Sequence, residues 1–275
     1  MKSAQKVCLV LGIFLAGGGC AHPWQPPRLT RPNQYQATGE QLVIHSDFPL
    51  SEKARLVETL LARRNDLSQH LQLPLADTPI DIYLFRTAAE FQSYVKMHYP
   101  QFPSRRAFFV ENDGQLAVYA QWGDRVEEDL QHETTHAFLH AAVPEIPLWL
   151  DEGLAEYYET PRGTGGWNRE HVLWLRTQLS QGRWQPNLVR LEHLPPTADM
   201  NEADYAEAWL WVHYLLQSFS EQREMLRGYL ADLRSDTHTA PLSARLRESF
   251  RDPDRELVEH ARPLIARDVP PQVSE

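Results

Sequence analysis

The sequence predicts an α+β protein whose front half contains a sheet and whose rear half is helical. Three observations carry that class. Runs of β-branched and aromatic residues end before residue 122. Two of those runs flank Asn112-Asp113-Gly114, a dipeptide-type hairpin signal. From Asp124 onward the apolar residues recur at helical spacing between prolines.

In chain order, EQLVIH (Glu40–His45) alternates as a half-buried strand does. Ser51 to Leu71 carries Leu56, Val57, Leu60, Leu61, Leu67 and Leu71, the stripe of an amphipathic helix. IDIYLF (Ile80–Phe85) is a continuous apolar run and predicts a buried strand, and Thr87–Tyr99 follows as a helix. RRAFFVE and QLAVYA form the arms of the hairpin. Asp124 with Glu127 has the pattern of a capping box opening the next helix, which Pro144 stops. Pro147 opens another helix and Pro161 ends it. Further helices are expected over 168–181, 203–219, 221–234, 241–250 and 254–267. The main domain is therefore 39–267, with an α/β part over 39–123, a helical part over 124–267 and a frayed tail over 268–275.

The first residues do not belong to that domain. MKSAQK is a positive n-region and VCLVLGIFLA an apolar segment, far short of the about 20 residues that span a bilayer, so residues 1–20 are expected to be a signal peptide. GGGC is similar to a bacterial lipobox, although Gly17 stands where such boxes usually carry Leu. The two cysteines agree: Cys8 would leave with the signal, and Cys20 would remain as a lone thiol where lipidation needs it. Residues 21–38 are rich in Pro and polar groups and are expected to form a tether. The expectation is an exported chain, lipid-anchored to the cell envelope and facing the periplasm from the outer membrane in a Gram-negative cell.

Composition narrows the partners. Lys and Arg total 27 against 37 Asp and Glu, a formal charge of −10, with no basic stripe or aromatic-interleaved basic run. That argues against nucleic acid as a partner.

The chemistry sits in HETTHAFLHAAVPEIPLWLDEGLAEYYE, His132 to Glu159. Residues i and i+4 of a helix share a face about 6 Å apart along the axis, so His132 and His136 can converge on one ion. Glu133 is one step round the helix, within reach of a water on that ion as its general base. The rival reading is an amphipathic helix whose polar residues face water while Leu130, Ala137, Phe138 and Ala141 pack inward. A second, carboxylate-bearing helix follows after a short turn, and so short a connection forces the two helices together.

HETTH followed by LWLDEGLAEYYE resembles the gluzincin zinc metallopeptidases, the clan of thermolysin and aminopeptidase N. The resemblance implies a zincin-like fold with the site between the two parts, one Zn2+ per chain held by His132, His136 and Glu152, and Glu133 as general base. Fifteen residues separate His136 from Glu152, fewer than in thermolysin, and Glu156 would restore the longer spacing. Glu152 is preferred because it lies in the DEG context, which leaves Glu156 at i+4 as the outer acceptor for a ligand histidine. A metzincin would need Gly and His where Leu139 and Ala142 stand. His140 lies about 12 Å along the axis from His132, cannot share its ion, and is expected on the surface or in packing.

The same resemblance points to an oxyanion donor on a later helix, where YAEAWLWVHYL offers Tyr205, with His213 as fallback. The Gly-x-Met-Glu-Asn strand of the exopeptidases is matched by FFVEND only in its Glu111-Asn112 pair, which favours an endopeptidase. QLAVYA is expected to be an edge strand to which an extended peptide substrate adds. Two other readings use the same residues: a non-catalytic binding or assembly lipoprotein that keeps the fold, and a zinc hydrolase of a non-peptide bond.

Overall fold

The computed structural model describes residues 30–50, 53–235 and 239–267. The expected signal peptide, Cys20, the first half of the expected tether and the tail from 268 lie outside them. The architecture is mixed α+β, a five-stranded sheet in the N-terminal part and a mostly helical C-terminal part. Among the described residues, no helix is long and apolar enough to cross a membrane.

The strands are β1 (Tyr35–Gly39), β2 (Leu42–Ser46), β3 (Ile80–Phe85), β4 (Ala107–Asn112) and β5 (Gln115–Gln121), in spatial order β1-β2-β3-β5-β4. β2, β3 and β5 are parallel, and the two outer strands are antiparallel to their neighbours. Helix α1 (Lys53–Leu71) connects β2 to β3, and α2 (Ala88–His98), capped by Thr87 and Glu90 in a reciprocal box, follows β3. Strand alternation sorts the sheet's two faces. Ile80, Ile82, Leu84, Leu116, Val118 and Phe109 join the main core with the helices, while Tyr83, Phe85, Phe108 and Tyr119 pack on Phe91 and Tyr94 of α2. The turn between β4 and β5 has positive φ at both Asp113 (49°) and Gly114 (76°), the type I′ geometry that Asp-Gly accommodates.

Three expectations are corrected here. The expected tether does not run to 38: Tyr35–Gly39 is a strand, and Arg31 ahead of it donates to the hydroxyls of Tyr94 and Tyr83. Its Pro-rich composition hid a segment that is held by the sheet. QLAVYA is β5 and interior, because β3 pairs with it in parallel; β4 is the edge strand. The capping box at Asp124 is absent: α3 (Val126–Ala142) has Arg125 at its N-cap with no side-chain cap, and its first turn is instead rich in acids, Glu127, Glu128 and Asp129, which suit the positive end of the helix dipole.

The remaining helices are α4 (Leu148–Tyr158), α5 (Arg169–Ser180), α6 (Leu188–Glu192), α7 (Glu202–Gln217), α8 (Ser220–Ser235), α9 (Leu242–Ser249) and α10 (Pro253–Arg267). The short α6 had no periodic signal in the sequence. α3 lies against β4 and β5 on one side and α4 on another, and α7 covers α4. α4 and α7 approach so closely at Gly153 that a Cβ there would stand 2.6 Å from the Ala208 carbonyl oxygen. That contact requires glycine and explains the G of DEG sterically.

Candidate metal centre

α3 has no wet face. Every residue from Leu130 to His140 is buried, and His132, Glu133 and His136 are only 3%, 3% and 0% exposed. The reading of HETTH as a solvated helix face is therefore excluded. A buried helix with polar residues must satisfy them internally. Thr134 and Thr135 do so by donating back to the carbonyls of Leu130 (2.6 Å) and Gln131 (2.7 Å). The histidines do so with carboxylates.

His132 Nε2 and His136 Nε2 lie 3.1 Å apart, and Glu152 Oε2 stands 3.7 Å from the first and 3.5 Å from the second. One ligand atom from each of His132, His136 and Glu152 thus falls within 4.8 Å of the others, a buried group that could hold a metal ion. Neither carboxylate oxygen of Glu152 has a hydrogen-bond partner among the described residues, although the residue is 0% exposed. A buried carboxylate without a hydrogen bond is costly, and a cation among these three donors would supply the partner it lacks. The donor set of two imidazoles and one carboxylate, with carboxylates behind the imidazoles, fits a divalent metal such as zinc.

The backs of both rings are held. His132 Nδ1 meets Glu159 Oε2 at 2.8 Å, and Asn168 Nδ2 donates to the other Glu159 oxygen at 3.0 Å. His136 Nδ1 lies 3.0 Å from Asp151 Oδ1. His140 Nε2 meets the second Asp151 oxygen at 3.0 Å, and its Nδ1 meets Glu111 Oε2 at 2.7 Å. Phe109 of β4 stacks on His136, ring centroids 6.3 Å apart.

These contacts change two residue roles. Glu156 does not back a ligand histidine: its Oε2 accepts from His171 Nε2 at 2.9 Å. Glu159, at i+7 from Glu152 and two turns along the same face, backs His132 instead. His140 is neither on the surface nor mere packing, since Asp151 joins it to His136 and so links β4 to the site. A second group, His132, Glu156 and Glu159, also brings its ligand atoms within 4.8 Å. Its carboxylates already accept from His171 and Asn168, so Glu152 is the carboxylate that a cation would satisfy.

Electrostatics follow the same geometry. Burial opposes charge on His132, but Glu152 and Glu159 outweigh it and carry the ring well above its ordinary range. Asp151 and Glu152 do the same for His136 against its burial. Burial raises Asp151 less than His136 and His140 lower it, so it is held far below the usual carboxylate range. Burial and the neighbouring Glu156 push Glu159 upward. Glu133 is raised by burial against the pull of His132, His136 and Arg105, and its Oε2 has no hydrogen-bond partner.

Tyr205 is buried on α7, one turn before Ala208, whose carbonyl abuts Gly153. His213 faces elsewhere: its Nδ1 meets His260 Nε2 of α10 at 2.8 Å. Asp151 and Glu159 were within reach of spacing arguments from the ligands. Asn168 and His171, which come from the loop before α5 and from α5 itself, gave no such signal. No family model and no curated protein matches the chain.

Proposed function

We propose that this chain is a zinc-dependent peptidase of the gluzincin type, most simply an endopeptidase. The observation that carries the reading is a buried carboxylate without a hydrogen-bond partner, Glu152, facing two histidine Nε2 atoms, with Glu133 buried one residue along from His132. Zinc would be held by His132, His136 and Glu152. When bound, it supplies Lewis acidity, polarising a scissile carbonyl and making water acidic enough to lose a proton near neutral pH. Glu133, held above the usual carboxylate range by burial, takes that proton on its side-chain oxygen and returns it to the leaving amine. Asp151 and Glu159 fix the ring orientations of the ligand histidines and keep Nε2 as the coordinating atom. Tyr205 is the residue assigned to the oxyanion. An extended substrate would pair with β4, the edge strand whose Phe109 packs on His136. The chain works as an exported lipoprotein on this reading, anchored at Cys20; loss of labelled palmitate from the Cys20→Ser variant tests the anchor.

The test of the activity is cleavage of a complex peptide library by the zinc-loaded protein beside its Glu133→Gln variant, read by mass spectrometry. Internal cuts made only by the unaltered protein support an endopeptidase. No cuts from a folded, zinc-loaded sample would sink the reading.

A further inference from the structure

We propose that the cavity between the α7–α8 turn and the start of α10 is a binding site for an organic cation, an ammonium or guanidinium group carried on an apolar body. The inference does not rest on the peptidase reading. Tyr214, in the wall of this cavity, stands nine residues beyond Tyr205 on α7, about 14 Å along the helix axis.

The cavity measures about 650 Å³, within the range of small-molecule sites. Its walls are partly aromatic. Phe219, in the turn that joins α7 to α8, is 76% exposed, more than any other large apolar side chain among the described residues. Phe250, the residue that ends α9, is half-buried, and Tyr214 is buried behind both. At the exposed mouth Glu221, Asp252 and Glu259 outnumber Arg251 and Arg255, so the field at the entrance favours an incoming cation.

The hydrogen bonds of the inner wall say what is missing. Gln222 Nε2 donates to the Tyr214 hydroxyl at 3.1 Å, and that hydroxyl donates to Glu256 Oε2 at 2.7 Å. Ser218 Oγ and His260 Nδ1 are 3.2 Å apart and serve each other, while His260 Nε2 meets His213. The groups with capacity left are therefore acceptors. Glu256 is half-buried and forms no ion pair among the described residues, with Tyr214 alone on its carboxylate. Asp204 and Glu207, earlier on α7, show the usual solution, because they share Arg190. Gln222 Oε1 has no hydrogen-bond partner either, although Gln222 is 2% exposed, and its partial negative charge adds to that of Glu256. A cation entering between Glu256 and the aromatic walls would gain a charge-assisted hydrogen bond and the attraction of the rings, and its apolar body would cover Phe219.

The test is calorimetric binding at pH 7 to the zinc-loaded Glu133→Gln protein, which removes turnover from the readout. Two pairs of probes serve: 4-phenylbutylammonium beside neutral 4-phenylbutanol, and N-acetyl-Phe-Arg-Phe amide beside the same peptide with citrulline for arginine. The cation of a pair is expected to bind about tenfold more tightly than its neutral counterpart. A preference in the first pair alone identifies a small free cation as the ligand, and one in the second pair a basic residue of a peptide. Adding Glu256→Gln should abolish the preference and leave the neutral probes unchanged. Equal affinities within both pairs, or no binding by any probe, overturn the proposal, as does a preference that survives Glu256→Gln. A preference that vanishes when a chelator removes zinc would place the cation at the metal centre and is equally fatal. Should Glu256→Gln fail to fold, Phe219→Ala carries the test from an exposed position: it should weaken cation and neutral probe alike by about tenfold, and undiminished binding there refutes the site.

Discussion

Among the described residues two pairs of histidines meet through their ring nitrogens, and only one is surrounded by acids. His132 and His136 face each other through Nε2 with Glu152 between them, and a carboxylate stands behind each ring. His213 and His260 also touch, at 2.8 Å, but their other neighbours are Trp209, Tyr157, Tyr214 and the Ser218 hydroxyl. Glu256, one turn before His260 on α10, accepts from Tyr214 at 2.7 Å. The first pair is accordingly drawn toward positive charge, while burial pushes the second down, His213 to about 3 and His260 to about 4. Burial and pairing alone therefore do not mark a metal site. The mark is a set of carboxylates whose charge asks for a cation.

The comparison breaks first, and most completely, at Glu152. Glu152→Ala is expected to reduce bound zinc from about one per chain to a trace by metal analysis, and to remove turnover with it. Glu156→Ala should keep the metal, and so should a His213→Phe, His260→Phe double variant. Zinc lost from Glu156→Ala and kept by Glu152→Ala would move the site to the other acidic group. Next in size is Glu133→Gln, expected to cut kcat about 10²–10⁴-fold at unchanged zinc content. Comparable kcat in that variant would remove the general-base role.

How much of this was readable in the sequence follows from what each feature depends on. HETTH is a local spacing, and helix geometry alone brings His132 and His136 to one face; Glu152, on the next helix, was legible through the resemblance carried by its DEG segment. The hairpin at Asp113-Gly114 was equally local, but which arm lies at the sheet edge depends on β3, thirty residues earlier, pairing with β5. Distance from His132 rules out a shared ion for His140 and says nothing about a shared acid; Asp151 reaches both His136 and His140. Spacing at i+4 points to Glu156 behind a ligand histidine, whereas Glu159 at i+7 takes that place and Glu156 accepts from His171.

The acids behind the rings should produce a smaller effect than the ligands. Asp151→Asn or Glu159→Gln leaves the donor set intact but loosens ring orientation and lowers ligand basicity. Each is expected to weaken zinc affinity about 10–100-fold, measured by competition with a chelator. Asp151→Asn should be the more harmful of the two, because it also releases His140 and with it the tie to Glu111 on the edge strand. An unchanged affinity in both would mean that the carboxylates merely neutralise burial and do not tune the site.

The remaining effect belongs to the rear pair, is read in fold stability instead of zinc binding, and has the opposite sign of charge preference. His213 and His260 are held neutral in the fold, whereas in the unfolded chain each titrates near the ordinary 6.5. Below pH 6.5 the unfolded state therefore binds more protons than the folded one, so stability falls as the pH drops from about 6.5 toward the folded values of about 4 and about 3. At pH 5 the loss from the pair should be about 4 kcal/mol, about 2 kcal/mol from each histidine, read from urea denaturation at pH 7 and pH 5. The metal-free protein is the right sample, since metal release from the front site would add its own acid dependence. His260→Leu should flatten this slope even if it lowers stability at pH 7. A slope unchanged by that substitution would show that the rear pair is not where acid acts, and that the contrast between the two clusters lies in coordination alone.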